Sequence, residues 1–88
     1  MGIVQLSKDV VFRDLSGEAV LLNLATGIYF GLNETGTRMW TLLAEHGATE
    51  PVLQTLAQEY DVPEETLRAD LAKLVQDLAS KGVIHVAE

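Results

Sequence analysis

The chain changes from strand to helix within one short stretch, residues 26–36, which has the sequence TGIYFGLNETG. The pair Thr26-Gly27 is a turn signal. Residues 28–32 follow as an apolar run with the β-branched and aromatic composition of a strand. Asn33 is then placed to cap the first turn of a helix with its side-chain oxygen. This stretch therefore predicts a turn, a strand and a helix start in immediate succession.

Two further strands are predicted ahead of this stretch. Residues 10–15 (VVFRDL) and residues 18–24 (EAVLLNL) are apolar runs that meet at Ser16-Gly17, a turn signal. Because the connections are short, the three strands should form an antiparallel meander. Residues 3–6 are either a further short strand or an ordered tail.

Three helices are predicted after the strands. The first runs from its cap to the region of Gly47, and Thr49 should cap the second. Pro63 should open the third as its first residue, because proline lacks the N–H that a first helical position does not need. Helical spacing assigns the core stripe of this third helix to four leucines, Leu67, Leu71, Leu74 and Leu78. Residues 83–86 form a terminal extended segment.

Composition limits the classes of function. The 88 residues suffice for one domain with a modest core, and no cysteine is present for disulfides, thiol catalysis or thiolate metal sites. No apolar run approaches membrane-spanning length, and the first nine residues lack the pattern of a signal peptide. The net charge of −7 argues against a nucleic-acid partner. We therefore expect a cytoplasmic protein that binds neither membrane nor nucleic acid.

The sequence shows no catalytic or metal-binding constellation. The two histidines, His46 and His85, come from distant segments, whereas a metal site needs three or four converging ligands. The pair Glu64-Glu65 sits where a helix N-terminus favours negative charge, which explains it without acid–base chemistry. No nucleophile–base pair or phosphate loop is visible. We expect no enzyme activity, no metal and no cofactor.

The strand at residues 28–32 should lie at an edge of the meander. It is apolar and free of proline and lysine, the devices by which proteins protect an exposed edge. Such an edge is an aggregation hazard or a docking site for a further strand. Along it Phe30 shares the core face with positions 28 and 32, whereas Tyr29 and Gly31 point to the other face.

Two segments resemble the PqqD-like family. They are residues 17–43, with the sequence GEAVLLNLATGIYFGLNETGTRMWTLL, and residues 59–84, with the sequence EYDVPEETLRADLAKLVQDLASKGVI. The turn, strand and helix start at residues 26–36 are the most specific part. The resemblance implies one peptide-recognition domain over residues 1–88. Its expected fold is α+β and winged-helix-like, a three-stranded antiparallel sheet followed by three helices.

The resemblance also implies a function. Members of the family are recognition elements for ribosomally synthesised, post-translationally modified peptides (RiPPs), and do no chemistry of their own. It implies that a leader peptide binds as an added strand on the third strand, beside the third helix. The partner is a modifying enzyme: a radical S-adenosylmethionine enzyme in pyrroloquinoline quinone biosynthesis, or a leader peptidase in lasso-peptide clusters. Residues 26–36 are more similar to the lasso-peptide branch, but the sequence excludes neither branch.

Eight residues are the candidates for contacting the peptide. On the third strand they are Tyr29, Phe30, Gly31 and Leu32, and on the third helix Arg68, Asp70, Leu71 and Val75. Val75 belongs to an apolar surface that extends beyond the leucine stripe on one side, which predicts a groove there. Arg68 and Asp70 are predicted to read charge at its rim. Asp77 lies on the opposite flank, where a change should have little effect.

Two other functions are compatible with the predicted elements. A winged-helix nucleic-acid-binding protein also combines helices with a short sheet, but its recognition helix needs basic and amide residues. The third helix instead carries Glu64, Glu65, Asp70 and Asp77. The second alternative is a small structural subunit that completes a larger enzyme by pairing at its edge strand.

Overall fold

Two antiparallel sheets and three helices make up residues 2–87, which are the residues that the computed structural model describes. In chain order the elements are β1 (Ile3–Leu6), β2 (Val10–Leu15), β3 (Glu18–Asn23), β4 (Ile28–Gly31), α1 (Glu34–His46), α2 (Thr49–Glu59), α3 (Glu64–Ser80) and β5 (Ile84–Ala87). The predicted α+β arrangement is confirmed, with the meander β2-β3-β4 ahead of the helices. Met1 and Glu88, the ends of the predicted domain, lie outside the described residues.

The second sheet joins the two ends of the described chain. β1 pairs antiparallel with β5, with Leu6 opposite Ile84. Val4 and Ile84 are buried, and the Val4 N–H donates to the Gly47 carbonyl at 2.9 Å. Residues 3–6 are thus a strand rather than a tail. The terminal extended segment is its partner, a pairing that the sequence did not predict.

The meander has one face on the core and one face open. Ser16 and Gly17 connect β2 to β3 with φ of 60° and 92°, as a type I′ turn requires. The strand register aligns Phe12, Leu21 and Phe30 across the sheet, and this face packs on the helices, with Leu21 fully buried. We call the opposite side the outer face. Its members in the register are Val11, Arg13, Leu15, Glu18, Val20, Leu22, Tyr29 and Gly31.

Both ends of α1 agree with the sequence. The Asn33 side chain accepts a hydrogen bond from the Gly36 N–H at 2.7 Å, and Gly47 ends the helix in the left-handed conformation, with φ of 67°. Trp40 of α1 is buried and packs near Phe12, with 6.4 Å between the ring centroids.

The other two helices begin one residue away from their predicted starts. Ala48 is the N-cap of α2, and Thr49 is its first residue, whose N–H donates to the Gly2 carbonyl at 3.1 Å. Pro63 is the N-cap of α3 rather than its first residue. Its backbone is extended, and its carbonyl accepts hydrogen bonds from the N–H groups of Thr66 and Leu67. The predicted cap at Thr49 and the predicted first helical residue at Pro63 were therefore each wrong by one position.

The buried face of α3 differs from the predicted leucine stripe. Leu67, Leu71, Val75 and Leu78 are buried, whereas Leu74 is only partly buried. The helix is thus rotated toward the flank that bears Val75 and Arg68. That flank faces α2, since Arg68 donates to Glu50 at the start of α2 at 2.9 Å. The packing of α2 fills the space where the sequence predicted a groove.

Candidate functional site

The outer edge of β4 carries free backbone groups. The Leu32 N–H donates to the Ala19 carbonyl at 2.8 Å, so residue 32 faces β3. Because bonded and non-bonded pairs alternate along an antiparallel ladder, Phe30 also faces β3, whereas the backbone groups of Tyr29 and Gly31 point away from it. Within residues 2–87, β4 pairs with β3 alone. The N–H and C=O groups of Tyr29 and Gly31 are therefore free to pair with an added strand.

Two polar contacts made by β3 connect the sheet to the helical layer, one beside each end of β4. At its start, the Asn23 side chain donates to the Gly82 carbonyl just beyond α3 at 3.2 Å and accepts from the Ala25 N–H at 2.9 Å. At its end, the buried Thr37 hydroxyl accepts from the Ala19 N–H at 2.8 Å and so holds α1 against the sheet. The two ends of the open edge therefore lie next to points where the sheet is hydrogen-bonded to the helical layer.

A groove lies beyond the end of β4, between α1 and α3. It encloses about 380 Å³. Its lining residues from the start of α1 are Asn33, Thr35, Gly36 and Met39, and those from α3 are Asp70, Lys73, Leu74 and Asp77. We call this space the helix groove. Met39 and Leu74 give it an apolar wall, and charged side chains surround that wall.

The wall on α3 has a helical spacing that sequence reasoning missed. Asp70, Lys73, Leu74 and Asp77 stand at positions i, i+3, i+4 and i+7, which places them on one face of the helix. One apolar residue among charged ones on such a face marks a surface that is neither core nor ordinary solvated exterior. Leu74 was instead assigned to the core, and Asp77 to a flank without a role. The structure places both in the groove.

The four candidate residues on the strand lie along the open edge of β4 or directly after it. Tyr29 is 71% exposed on the outer face, and Phe30 is partly buried against the core, as predicted. Leu32 is buried directly after β4. Gly31 is the last residue of the strand. The structure thus brings these residues together at the open edge, and a role in binding peptide remains a prediction.

The four candidates on α3 are divided between three environments. Asp70 lines the helix groove. Leu71 and Val75 are 0% and 3% exposed and belong to the core, so the prediction that Val75 forms an open groove wall was wrong. Arg68 does not line the helix groove, because the rotation of α3 about its axis directs this side chain toward α2. It therefore lies away from the helix groove, whereas the sequence had placed it at the rim of the peptide-binding groove.

Two surface ion pairs hold the helices together on the side away from the groove. Arg68 bonds to Glu50 and lies 4.0 Å from Glu64. Arg38 of α1 bonds through two nitrogens to Glu59 at the end of α2. The hydrogen bond from Arg68 lowers the pKa of Glu50, and that from Arg38 lowers the pKa of Glu59. Within residues 2–87 the charged groove residues Asp70, Lys73 and Asp77 form no ion pair, which leaves them available to a ligand.

Metal-binding clusters and membrane-spanning helices are absent from the part of the chain that the structure describes. Within residues 2–87, no group of three histidine or acidic side chains is arranged to hold a metal ion. Of the helices described there, none has the length and apolarity needed to cross a membrane. The open edge of β4 and the helix groove are therefore the candidate binding features.

Fold and site together define a small α+β protein in which the open edge of β4 ends beside a groove between helices. Residues 18–84 match the family model for coenzyme PQQ synthesis protein D (PqqD). The chain therefore belongs to the PqqD family. The resemblance drawn from residues 17–43 and 59–84 is thereby confirmed.

Two solved structures are similar over nearly the whole chain. One is "TbiB1 in Complex with the TbiA(beta) Leader Peptide", with 36% identity, a TM-score of 0.89, and coverage of 96% of this chain and 98% of that chain. Another is "Lasso peptide synthetase B1 complexed with the leader peptide", with 26% identity, a TM-score of 0.84, and coverage of 94% and 98%. A search of curated proteins found no match. Both similar structures hold a leader peptide.

Proposed function

We propose that this protein is a non-catalytic adaptor that captures the leader segment of a ribosomal precursor peptide and presents it to a modifying enzyme. The observation that carries the proposal is the open edge of β4, where Tyr29 and Gly31 direct unpaired backbone groups away from the sheet. A leader in extended conformation adds a fourth strand there. Backbone pairing supplies affinity, and the adjoining helix groove supplies side-chain specificity. Both similar structures, which are leader-peptide complexes, support this assignment.

The identity of the partner enzyme depends on the biosynthetic pathway and does not follow from the fold. A lasso peptide synthetase B1 is among the similar structures, and this supports a lasso-type pathway with a leader peptidase over a radical S-adenosylmethionine partner. Such a pathway operates in the cytoplasm, where precursor peptides are synthesised. The net charge of −7 and the two acidic residues beside the groove disfavour a nucleic-acid ligand.

A titration with leader peptides tests this function. The probes are the TbiA(beta) leader peptide and the leader of any small precursor encoded next to this gene, each labelled for fluorescence anisotropy. We expect at least one to bind with a Kd of about 10 μM or tighter. The same peptide with scrambled sequence serves as the control. Failure of every leader to bind above the scrambled control contradicts the proposal.

Replacing Tyr29 with proline should weaken leader binding by about tenfold or more, because one edge hydrogen bond is lost and the ring obstructs the added strand. The fold should survive, since the Tyr29 N–H is not used in the ladder with β3 and proline is tolerated at such edge positions. Anisotropy measures the affinity, and thermal unfolding checks the fold.

The matched control for this variant is Tyr29→Ala, which removes the exposed side chain but keeps the N–H. We expect it to retain most of the affinity. Equal losses in the two variants would show that the side chain, and not the backbone donor, carries binding at this position.

A further inference from the structure

A second hollow adjoins the same edge on the other side of the sheet. It has a volume of about 350 Å³ and lies where β4 ends beside the β2–β3 hairpin. Four of its lining residues lie on the outer face, namely Leu15, Glu18, Val20 and Gly31. The other three, Ala19, Leu32 and Asn33, line it at the end of the sheet. Val20 stands directly opposite Gly31 in the register. The missing side chain of Gly31 therefore exposes Val20 and helps to open the hollow.

Neither backbone geometry nor crowding requires glycine at position 31. Its φ is outside the positive range that favours glycine, and a Cβ built there would meet no atom within 4 Å. Glycine within a strand is unfavourable, since it loses more conformational freedom on folding and offers no side chain to pack. Glycines within strands occur at bulges, at tight bends and where a ligand or another backbone approaches closely. The ladder between β3 and β4 runs through Gly31 to Leu32 without a bulge, which favours close approach here.

The geometry of strand addition determines what approaches Gly31. Its N–H and C=O point to the free edge, so one residue of an added strand pairs directly with it. Side chains of directly paired residues lie on the same face of a sheet. That peptide residue therefore directs its side chain over Gly31 toward Val20. Its two sequence neighbours point to the opposite face, toward the helices.

We propose that this hollow is a second subsite, which takes an aromatic side chain from the bound peptide. The inference rests on the proposed function, because it presupposes strand addition at β4. An aromatic ring covers a glycine on an adjacent strand and restores the packing that the glycine lacks. Leu15 and Val20 supply apolar contact for the ring, and the exposed carboxylate of Glu18 at the rim accepts a hydrogen bond from a tyrosine hydroxyl or an indole N–H.

A two-sided site follows from this arrangement. One peptide residue enters the hollow over Gly31, while residues at odd offsets from it face the helix groove. Specificity is then set on both faces of the added strand, and the outer face contributes without any help from α3. Sequence reasoning had placed all the selective contacts on the helix side, apart from the ring of Tyr29.

Gly31→Val fills the hollow without disturbing the fold, because the added side chain meets open space and β-branched residues favour strands. A library of random linear peptides displayed on mRNA is selected against the parent protein and against G31V. We expect the parent to enrich peptides with an aromatic residue at one fixed position. The G31V protein should enrich a small residue there, with the other preferred positions unchanged.

Titration then quantifies the effect. The peptide most enriched by the parent should bind G31V about tenfold more weakly, and this difference should vanish when its aromatic residue is replaced by alanine. Val11→Ile, which adds bulk to the same face on β2 outside the hollow, is the control and should bind like the parent.

Failure of the inference is distinguishable from failure of the proposed function. If the parent enriches no peptide whose binding Tyr29→Pro weakens, strand addition itself is refuted. If the parent enriches such peptides but G31V enriches the same aromatic position and binds with equal affinity, only the second subsite is refuted.

Discussion

Val75→Asp is expected to lower the free energy of unfolding more than any other substitution considered for α3. Val75 is 3% exposed, in contact with the core that α3 shares with the other helices. A carboxylate there loses its hydration without gaining a partner, at a cost of about 3 kcal/mol or more. Small domains have a total unfolding free energy of about 5–15 kcal/mol, so a large part of the stability disappears. Circular dichroism during thermal and urea unfolding measures the loss.

A matched substitution one residue away isolates the cause. Leu74→Asp introduces the same charge on the same helix, but at a partly buried position that borders the helix groove. It should unfold at a temperature much closer to that of the parent. If Val75→Asp melts as cooperatively and as late as Leu74→Asp, then α3 is rotated as the leucine stripe predicted, and the assigned groove is wrong.

Leu74→Asp is also expected to abolish leader binding while the fold persists. Leu74 is the apolar residue on the α3 wall of the groove, and the substitution places a third carboxylate between Asp70 and Asp77. An apolar leader side chain loses its contact and must desolvate a charge in its place. We expect a loss of affinity of about a hundredfold, typical of a central contact. Fluorescence anisotropy with the leader peptide measures it.

Ala79→Asp is the control for added charge on α3. Ala79 is exposed and does not line the groove. This variant changes the net charge by the same amount, so it should bind the leader as tightly as the parent does. A comparable loss in Ala79→Asp would indicate general electrostatic repulsion of an acidic leader rather than contact at Leu74.

Much of the fold follows from local chemistry that the sequence displays. The Ser16-Gly17 turn, the Asn33 cap and the end at Gly47 each depend on one or two residues whose conformational preferences decide the outcome. The open edge at β4 was predictable for a similar reason, because short connections force sequential strands to pair and leave the last one exposed. The pairing of β1 with β5 was not predictable, since it depends on contacts between opposite ends of the chain.

The candidate site could be predicted only in part. Periodicity gives the residues that share a face of α3, but the rotation of that face is set by tertiary packing. Here α2 occupies the flank of Val75, and the bond from Arg68 to Glu50 marks its position. The leucine at position 74 consequently turns toward the groove. The apolar positions alone do not distinguish the two rotations, because leucine and valine are both suitable core residues. The signal within α3 is the set of charged residues around Leu74, namely Asp70, Lys73 and Asp77.

Hydrogen exchange at individual amides, measured by NMR with and without the leader peptide, tests strand addition at β4 most directly. In the free protein the amides of Tyr29 and Gly31 lack a partner in the ladder and should exchange fast, whereas that of Phe30 is bonded to β3. On binding, exchange at Tyr29 and Gly31 should slow by about tenfold or more, with little change at Phe30. A leader that binds but leaves exchange at Tyr29 and Gly31 unchanged would contradict the account, because it would then bind elsewhere than at this edge.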